Sequence, residues 1–393
     1  MMFGAIYIGL SGLNAYSRGL QQVSNNVANL NTTGFKGASV TFQNLTGAGG
    51  GGGLALTGAK GDGDGVEVGE GTLSFKQGEL RASDRDLDLS VDGNGFLVLL
   101  DGDRTLFART GSFEVNGDGH VVLAGTDYRL ATLGADNRPV SLSIDRQRTS
   151  PPKATTSVAF ADNLSSGAAN FTVGDLKVTD ASGTQHVWTA RFAKDAAATG
   201  NAWNVTVTDA KGATIGTKAL TFTNGIVDPA SAKLRFGDAA AGLDVEFDFS
   251  AGVTSFSGGE VSTLRASKVD GYAAGTVTGV ATNASGHLEL SYSNGQKVDL
   301  GAVALADFRD PGTLEQRQGG VFAQTSPGEH AFLASSDPRV GQVRSRRLEA
   351  SNVDLSQQFG DLILIQRGFQ ASSQIVSVSN DMIQQLFGIR GQG

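Results

Sequence analysis

The chain has 393 residues, of which 55 are glycine and 7 proline, with 18% charged residues, no cysteine and a formal charge of −8. That length exceeds what one hydrophobic core usually organises, so about two to four domains are expected. The acidic balance denies a general nucleic-acid role its basic patch, and the lack of cysteine excludes disulfides, thiol nucleophiles and thiolate metal sites while leaving the compartment open.

The first segment reads as an amphipathic helix over about residues 4 to 30. Ile6, Leu13, Leu20 and Val27 recur every seven residues, with Tyr16, Val23 and Leu30 three further on. The moderately apolar stretch from Met1 to Leu20 lacks a basic start and is broken by glycine, serine and asparagine, unlike a cleaved secretory signal. No run of about 20 apolar residues spans a bilayer.

Thr46 to Gly71 carries GAGGGGG and GAKGDGDG, with too little apolar surface to offset the entropy of ordering it, and is expected to be flexible when isolated. Strands follow at Gly95 to Leu100, Arg104 to Val115 and His120 to Ala124, with Asp101-Gly102 and Asn116-Gly117 as hairpin turns. The polar segment RTSPPKA, with two adjacent prolines, marks a boundary. Beyond it, Phe171 to Val178, Val187 to Phe192, Trp203 to Val207, Leu243 to Phe249 and His287 to Tyr292 read as strands of one or two all-β domains.

Helical periodicity returns only at the far end. Leu355, Leu362, Phe369, Val376 and Ile383 repeat at seven, supported by Phe359, Ile365, Leu386 and Phe387, with Asn352 and Asp354 as candidate N-caps. Two such helices could pack on the body of the protein, on each other, or on other copies. Their position at the extreme termini and their shared heptad period favour association through paired ends.

Few residues invite chemistry. His120, His186, His287 and His330 have no short ligand spacing. Asp62, Asp64, Glu67 and Glu70 could in principle offer oxygen ligands to calcium, but they lack EF-hand spacing, and a solvated loop is the preferred reading. Asp84, Asp86 and Asp88 fit a strand exposing carboxylates while Leu87 and Leu89 enter the core. Arg344-Ser345-Arg346-Arg347 reads as a solvated basic loop. No nucleophile elbow, phosphate loop or zinc-protease motif is present, so no catalytic, cofactor-binding or metal residue is assigned.

Residues 11 to 37, SGLNAYSRGLQQVSNNVANLNTTGFKG, resemble the N-terminal signature of flagellar rod, hook and hook-associated proteins, with Asn25, Asn26, Ala28, Asn29, Thr32, Gly34, Phe35 and Lys36 on the pattern NN-x-AN-x-x-T-x-GFK. Residues 348 to 386 resemble the matching C-terminal signature, including Ser351-Asn352-Val353-Asp354-Leu355 and Gln366-Arg367. One departure is Phe359-Gly360, where members often carry glutamate and an apolar residue; glycine there weakens a helix by up to ~1 kcal/mol relative to alanine. LDLSVDGNGFL, from Leu87 to Leu97, resembles a third motif of the rod and hook group. The length of the unplaced middle favours a hook subunit over the shorter distal-rod proteins.

The resemblance implies a mainly β, multidomain axial protein whose N- and C-terminal helices pair as a coiled coil beneath β-rich outer domains. The expected division is 1–40 with 340–393 as the helical domain, 41–86 as a glycine-rich linker, 87–148 with 306–339 as an inner β domain, and 149–305 as the outer one. It further implies a non-enzymatic, cofactor-free subunit of the extracellular hook, self-polymerising into a curved, torque-transmitting joint. Its partners would be rod, hook-cap and hook-filament junction proteins and the type III export apparatus, with neither nucleic acid nor membrane insertion. Assembly would rest on Leu13, Leu20, Val23, Asn25, Asn26, Val27, Asn29, Leu30, Gly34, Phe35 and Lys36 at one end. At the other it would rest on Asn352, Val353, Asp354, Leu355, Leu362, Gln366, Arg367, Phe369, Val376 and Ile383. A rod protein with an enlarged outer domain and, more distantly, a secreted β-rich adhesin or enzyme are the alternatives.

Overall fold

The computed structural model describes residues 2–44, 65–69, 71–198, 200–325 and 328–390. The glycine runs up to Asp64, with Asp62, and Glu70 lie outside the described residues; Glu67 sits in the short strand Val66–Val68. The described chain is mainly β with one long helix at each end, α1 (Met2–Ala28) and α2 (Leu355–Arg390).

Helix α1 stops two residues before the expected Leu30, because Asn29 to Gly34 turn the chain, with Gly34 at φ 71°. A side chain is disfavoured there, and a Cβ would also meet the Thr110 methyl at 3.0 Å. Helix α2 begins where Asp354 caps it, its Oδ1 accepting from the Ser356 and Gln357 amides at 2.8 and 3.1 Å. Asn352, the other candidate cap, is used elsewhere. The helix runs unbroken through Gly360, which has open space around it. No helix among the described residues is long and apolar enough to cross a membrane.

The chain divides into two units. The first comprises Met1–Ile144, Val280–Glu289 and Asp299–Gly393 and holds both helices and a twelve-stranded sheet. Strands from 88–141 and from 304–345 share that sheet: Phe96–Asp101 pairs with Arg104–Ala108, Arg129–Leu133 and Ala304–Phe308. Phe96, Val98, Phe107, Phe308 and Phe322 fill its core, with edge-on ring contacts of 4.7 Å for Phe107–Phe308 and 5.5 Å for Phe96–Phe308.

Three local expectations need correction. Arg104 to Val115 is two strands, Arg104–Ala108 and Thr110–Val115, which leave Arg109 between them with its side chain in the core. The hairpin at Asn116 closes through the His120 carbonyl, and its left-handed residue is Gly119, not Gly117. Asp84 and Asp86 precede the strand Asp88–Asp92, and Asp88 itself is buried, its carboxylate accepting the Ser83 hydroxyl. Leu89, Ser90 and Val91 are all fully buried in this strand, which pairs with Thr110–Val115 along one edge and Gln342–Ser345 along the other. Alternation fails where both faces are covered.

The basic cluster is likewise no loop. Arg344 ends in the strand Gln342–Ser345 and pairs with Asp92 at 3.2 Å, while Arg346, at φ 56°, turns the chain and pairs with Asp86 at 2.6 Å.

The second unit, Asp145–Gly279 with Leu290–Val298, holds a ten-stranded sheet. It is mostly antiparallel, but Ser157–Asn163 runs parallel to Leu243–Asp248 and Val253–Thr254. Period-two burial selects Trp188, Ala190 and Phe192 on one strand and Trp203, Val205 and Val207 on the next, packed with Phe160, Phe236, Phe247 and Phe249. Hairpin turns are tied by aspartates: Asp209 accepts from the Lys211 and Ala213 amides, and Asp180 from the Ser182 and Thr184 amides and the His186 ring. The His186 contact does most to hold the Asp180 carboxyl far below its usual range.

Candidate assembly site

Helices α1 and α2 pair along their length through small residues. The buried positions of α1 are Gly9, Gly12, Ala15, Gly19, Val23 and Asn26. Those of α2 are Gln358, Ile365, Ser372 and Ser379, a strict heptad, with Leu362, Val376 and Ile383 half-buried four positions on. The glycines set the distance. A Cβ on Gly12 would stand 2.5 Å from Ser372 Oγ, one on Gly9 would be 2.7 Å from Val376 Cγ2, and one on Gly368 would strike the Tyr16 ring. Gly12→Leu is therefore expected to push the helices apart, destabilising the pair by about 1–3 kcal/mol. Circular dichroism at 222 nm during heating checks this: an unchanged helical melt would contradict the close packing.

Below the seam the two terminal signatures lock together around buried polar groups. Lys36 and Glu349 are fully buried, with Nζ–Oε1 at 2.6 Å, and Arg109 Nε lies 3.3 Å from Glu349 Oε2. Lys36 also donates to the Lys76 carbonyl at 2.7 Å. The Arg109 guanidinium donates to the Gly93 and Gly95 carbonyls and lies over the Phe96 ring, 5.4 Å from its centroid. The glycines of the LDLSVDGNGFL segment thus form a carbonyl cradle for Arg109. Gly93, at φ 142°, also packs against the Gly341 backbone too closely for a Cβ. Burial pushes the Lys36 ammonium below its usual pKa against the opposing pull of Glu349, and lowers Arg109 in the same way.

Two asparagines complete the junction. Asn26 donates to Gln358 Oε1 and the Ala38 carbonyl, both at 2.9 Å, and accepts from the Ala38 amide at 3.2 Å. Asn352 accepts from the Gly37 amide at 2.9 Å and donates to the Ser74 and Lys76 carbonyls at 2.6 and 2.9 Å.

The residues singled out from sequence fall into two groups. Val23, Asn26, Gly34, Phe35 and Lys36 are buried in the pair or the junction; Leu13, Val27, Asn29, Leu30, Asn352, Val353, Leu362, Val376 and Ile383 are half-buried. Asn29 turns back to the Asn25 carbonyl and takes the Thr32 hydroxyl. Asn25, Leu20, Asp354, Leu355, Gln366, Arg367 and Phe369 are exposed and lie outside the intrachain seam. Glu349, Arg109 and Gln358 were missed, as were the small residues Gly9, Gly12, Ser372 and Gly368.

The helix pair also carries large apolar side chains that face away from its own seam. Tyr7 and Leu10 on α1 are 60% and 57% exposed, and on α2 Leu364 reaches 69%. Leu364, Ile375, Val378 and Met382 follow at spacings that place them on one helical face. Among the described residues no group of three or more metal-ligating side chains is present.

Comparisons with known proteins agree with the two signatures. Residues 6–36 match the family model described as "Flagella basal body rod protein", and residues 344–389 match "Flagellar basal body rod FlgEFG protein C-terminal". The chain is 29% identical to the flagellar hook protein FlgE of Borreliella burgdorferi, over 99% of this chain and all of that one. It is 27% identical to the flagellar hook protein FlgE of Salmonella typhimurium, over 97% and 98% of the two chains. The crystal structure of the Helicobacter pylori flagellar hook protein FlgE2 aligns over 69% of this chain and 99% of its own, with 10% identity and a TM-score of 0.49. Rod-type family models thus match both ends of the chain, and flagellar hook proteins match it from end to end.

Proposed function

We propose that this chain is the structural subunit of a flagellar hook, polymerising into a curved tube that passes torque from rod to filament. The observation that carries the reading is the helix pair, closed on itself through small residues yet presenting large apolar side chains outward. An isolated subunit gains nothing from that surface, whereas a second copy buries it. Exposed Leu20, Leu355, Gln366, Arg367, Phe369 and Asn25 then act between copies, while the buried and half-buried signature residues shape the subunit itself.

In this reading the role is structural rather than enzymatic, residues of the helical ends line the tube, and the β units lie outward. The subunit leaves the cell through the flagellar type III apparatus and meets rod, hook-cap and junction proteins at its neighbours. A rod role has specific support in the rod-named family models at both ends. Electron microscopy of basal bodies from a strain lacking the protein separates the two. Loss of the curved segment with the rod retained supports a hook subunit, loss of the distal rod makes it a rod protein, and unchanged basal bodies refute both.

A further inference from the structure

We infer that the segment around Glu349 is a closing latch: the junction built by residues 26–109 cannot finish folding until residues 347–358 dock into it. Hydrogen bonds cross between the two parts of the chain in both directions. Six donors from the amino-terminal side end on the carboxy-terminal segment. Lys36 Nζ, the Gly78 amide and Arg109 Nε reach the Glu349 carboxylate; the Gly34 amide reaches its backbone carbonyl; the Gly37 amide reaches Asn352 and Asn26 reaches Gln358.

Two of those donors are buried cations, and Glu349 is the carboxylate paired with both. Before it arrives, closing the site would bury two like charges with carbonyl oxygens alone as partners, which is strongly unfavourable. Thr110 Oγ1 also waits for the Glu349 amide, and Leu80–Ala82 for pairing with Arg347–Glu349. The amino-terminal signature and the nearby sheet strands therefore stay open at this point in any chain whose last 47 residues, from 347 to 393, have not yet joined them. This order of closure follows from the intrachain geometry and does not depend on the hook reading.

Pulsed hydrogen exchange during refolding of the full-length wild-type chain from urea tests the order directly. Amides of Gly34, Gly37 and Gly78 are expected to gain protection with the same rate constant as Glu349 and Ala350. Protection of the first group in an earlier phase would overturn the latch. Native-state exchange of the full-length Glu349→Gln variant gives a second reading. At least tenfold faster exchange is expected at residues 34–38, 78 and 91–96, with Phe192 and Val205 of the second unit unchanged. Acceleration confined to residues 347–352 would make Glu349 an ordinary local contact instead.

Discussion

Purified chain carrying Leu364→Asp is expected to stay folded as a monomer and to fail to form tubes at concentrations where the wild type assembles. Leu364 is 69% exposed and lies away from the seam between α1 and α2, so the substitution removes little intrachain packing. The monomer pays only the modest helix-propensity difference, about 0.5 kcal/mol. In a polymer that covers this face, the aspartate must lose its hydration without a partner, costing several kcal/mol per subunit. A rise of at least a hundredfold in the critical concentration, equivalent to about 3 kcal/mol, is therefore expected. Sedimentation of polymer against total protein measures it, with Leu364→Met as the volume-matched control that should assemble normally. Tubes from Leu364→Asp at the wild-type threshold would remove this face from the subunit contact. Leu362→Asp is a poorer probe, because Leu362 is half-buried toward α1 and the charge would damage the monomer as well.

The outcome at Leu362 and Leu364 shows what periodicity can and cannot reveal. Heptads of large apolar residues announced both helices, and the position of Asp354 before the second announced its start. They did not announce which face meets the other helix, since close approach is set by Gly9, Gly12 and Gly368, residues that add no apolar signal. The serines of the buried α2 heptad, Ser372 and Ser379, read as polar in any pattern search yet occupy the seam. Strands with one covered face, such as Trp203 to Val207, were legible because burial alternates there, whereas Asp88–Asp92 was not because every position from Asp88 to Val91 is buried, on both faces of the sheet. The GFK and SNVDL segments stood out by resemblance, but nothing in sequence linked Lys36 to Glu349 across 313 positions, or either to Arg109. A buried ion cluster assembled from three distant segments has no local period, and each member alone looks like an ordinary surface charge.

The same cluster makes a prediction in which the sign of a substitution reverses. Lys36 and Arg109 share one carboxylate, so Lys36→Met in the wild type leaves Arg109 and Glu349 as a neutral pair and is expected to cost about 1–2 kcal/mol, near the centre of the range for single substitutions. Glu349→Gln keeps the shape and the acceptor oxygen but strands two buried cations, and its cost should reach roughly 3–5 kcal/mol, the range for breaking a buried pair. In the Glu349→Gln chain, adding Lys36→Met removes one stranded charge and replaces it with an apolar side chain of similar length. There the second substitution should recover about 1–2 kcal/mol rather than add its wild-type cost, an interaction of the size expected for residues sharing one network. Urea melts of the four full-length monomers, followed by a fluorophore or amide signal from the first unit, measure the cycle. If the double variant is less stable than Glu349→Gln alone, the three side chains do not act as one electrostatic cluster, and the cost of Glu349→Gln comes from its hydrogen bonds to Gly78 and the neighbouring backbone.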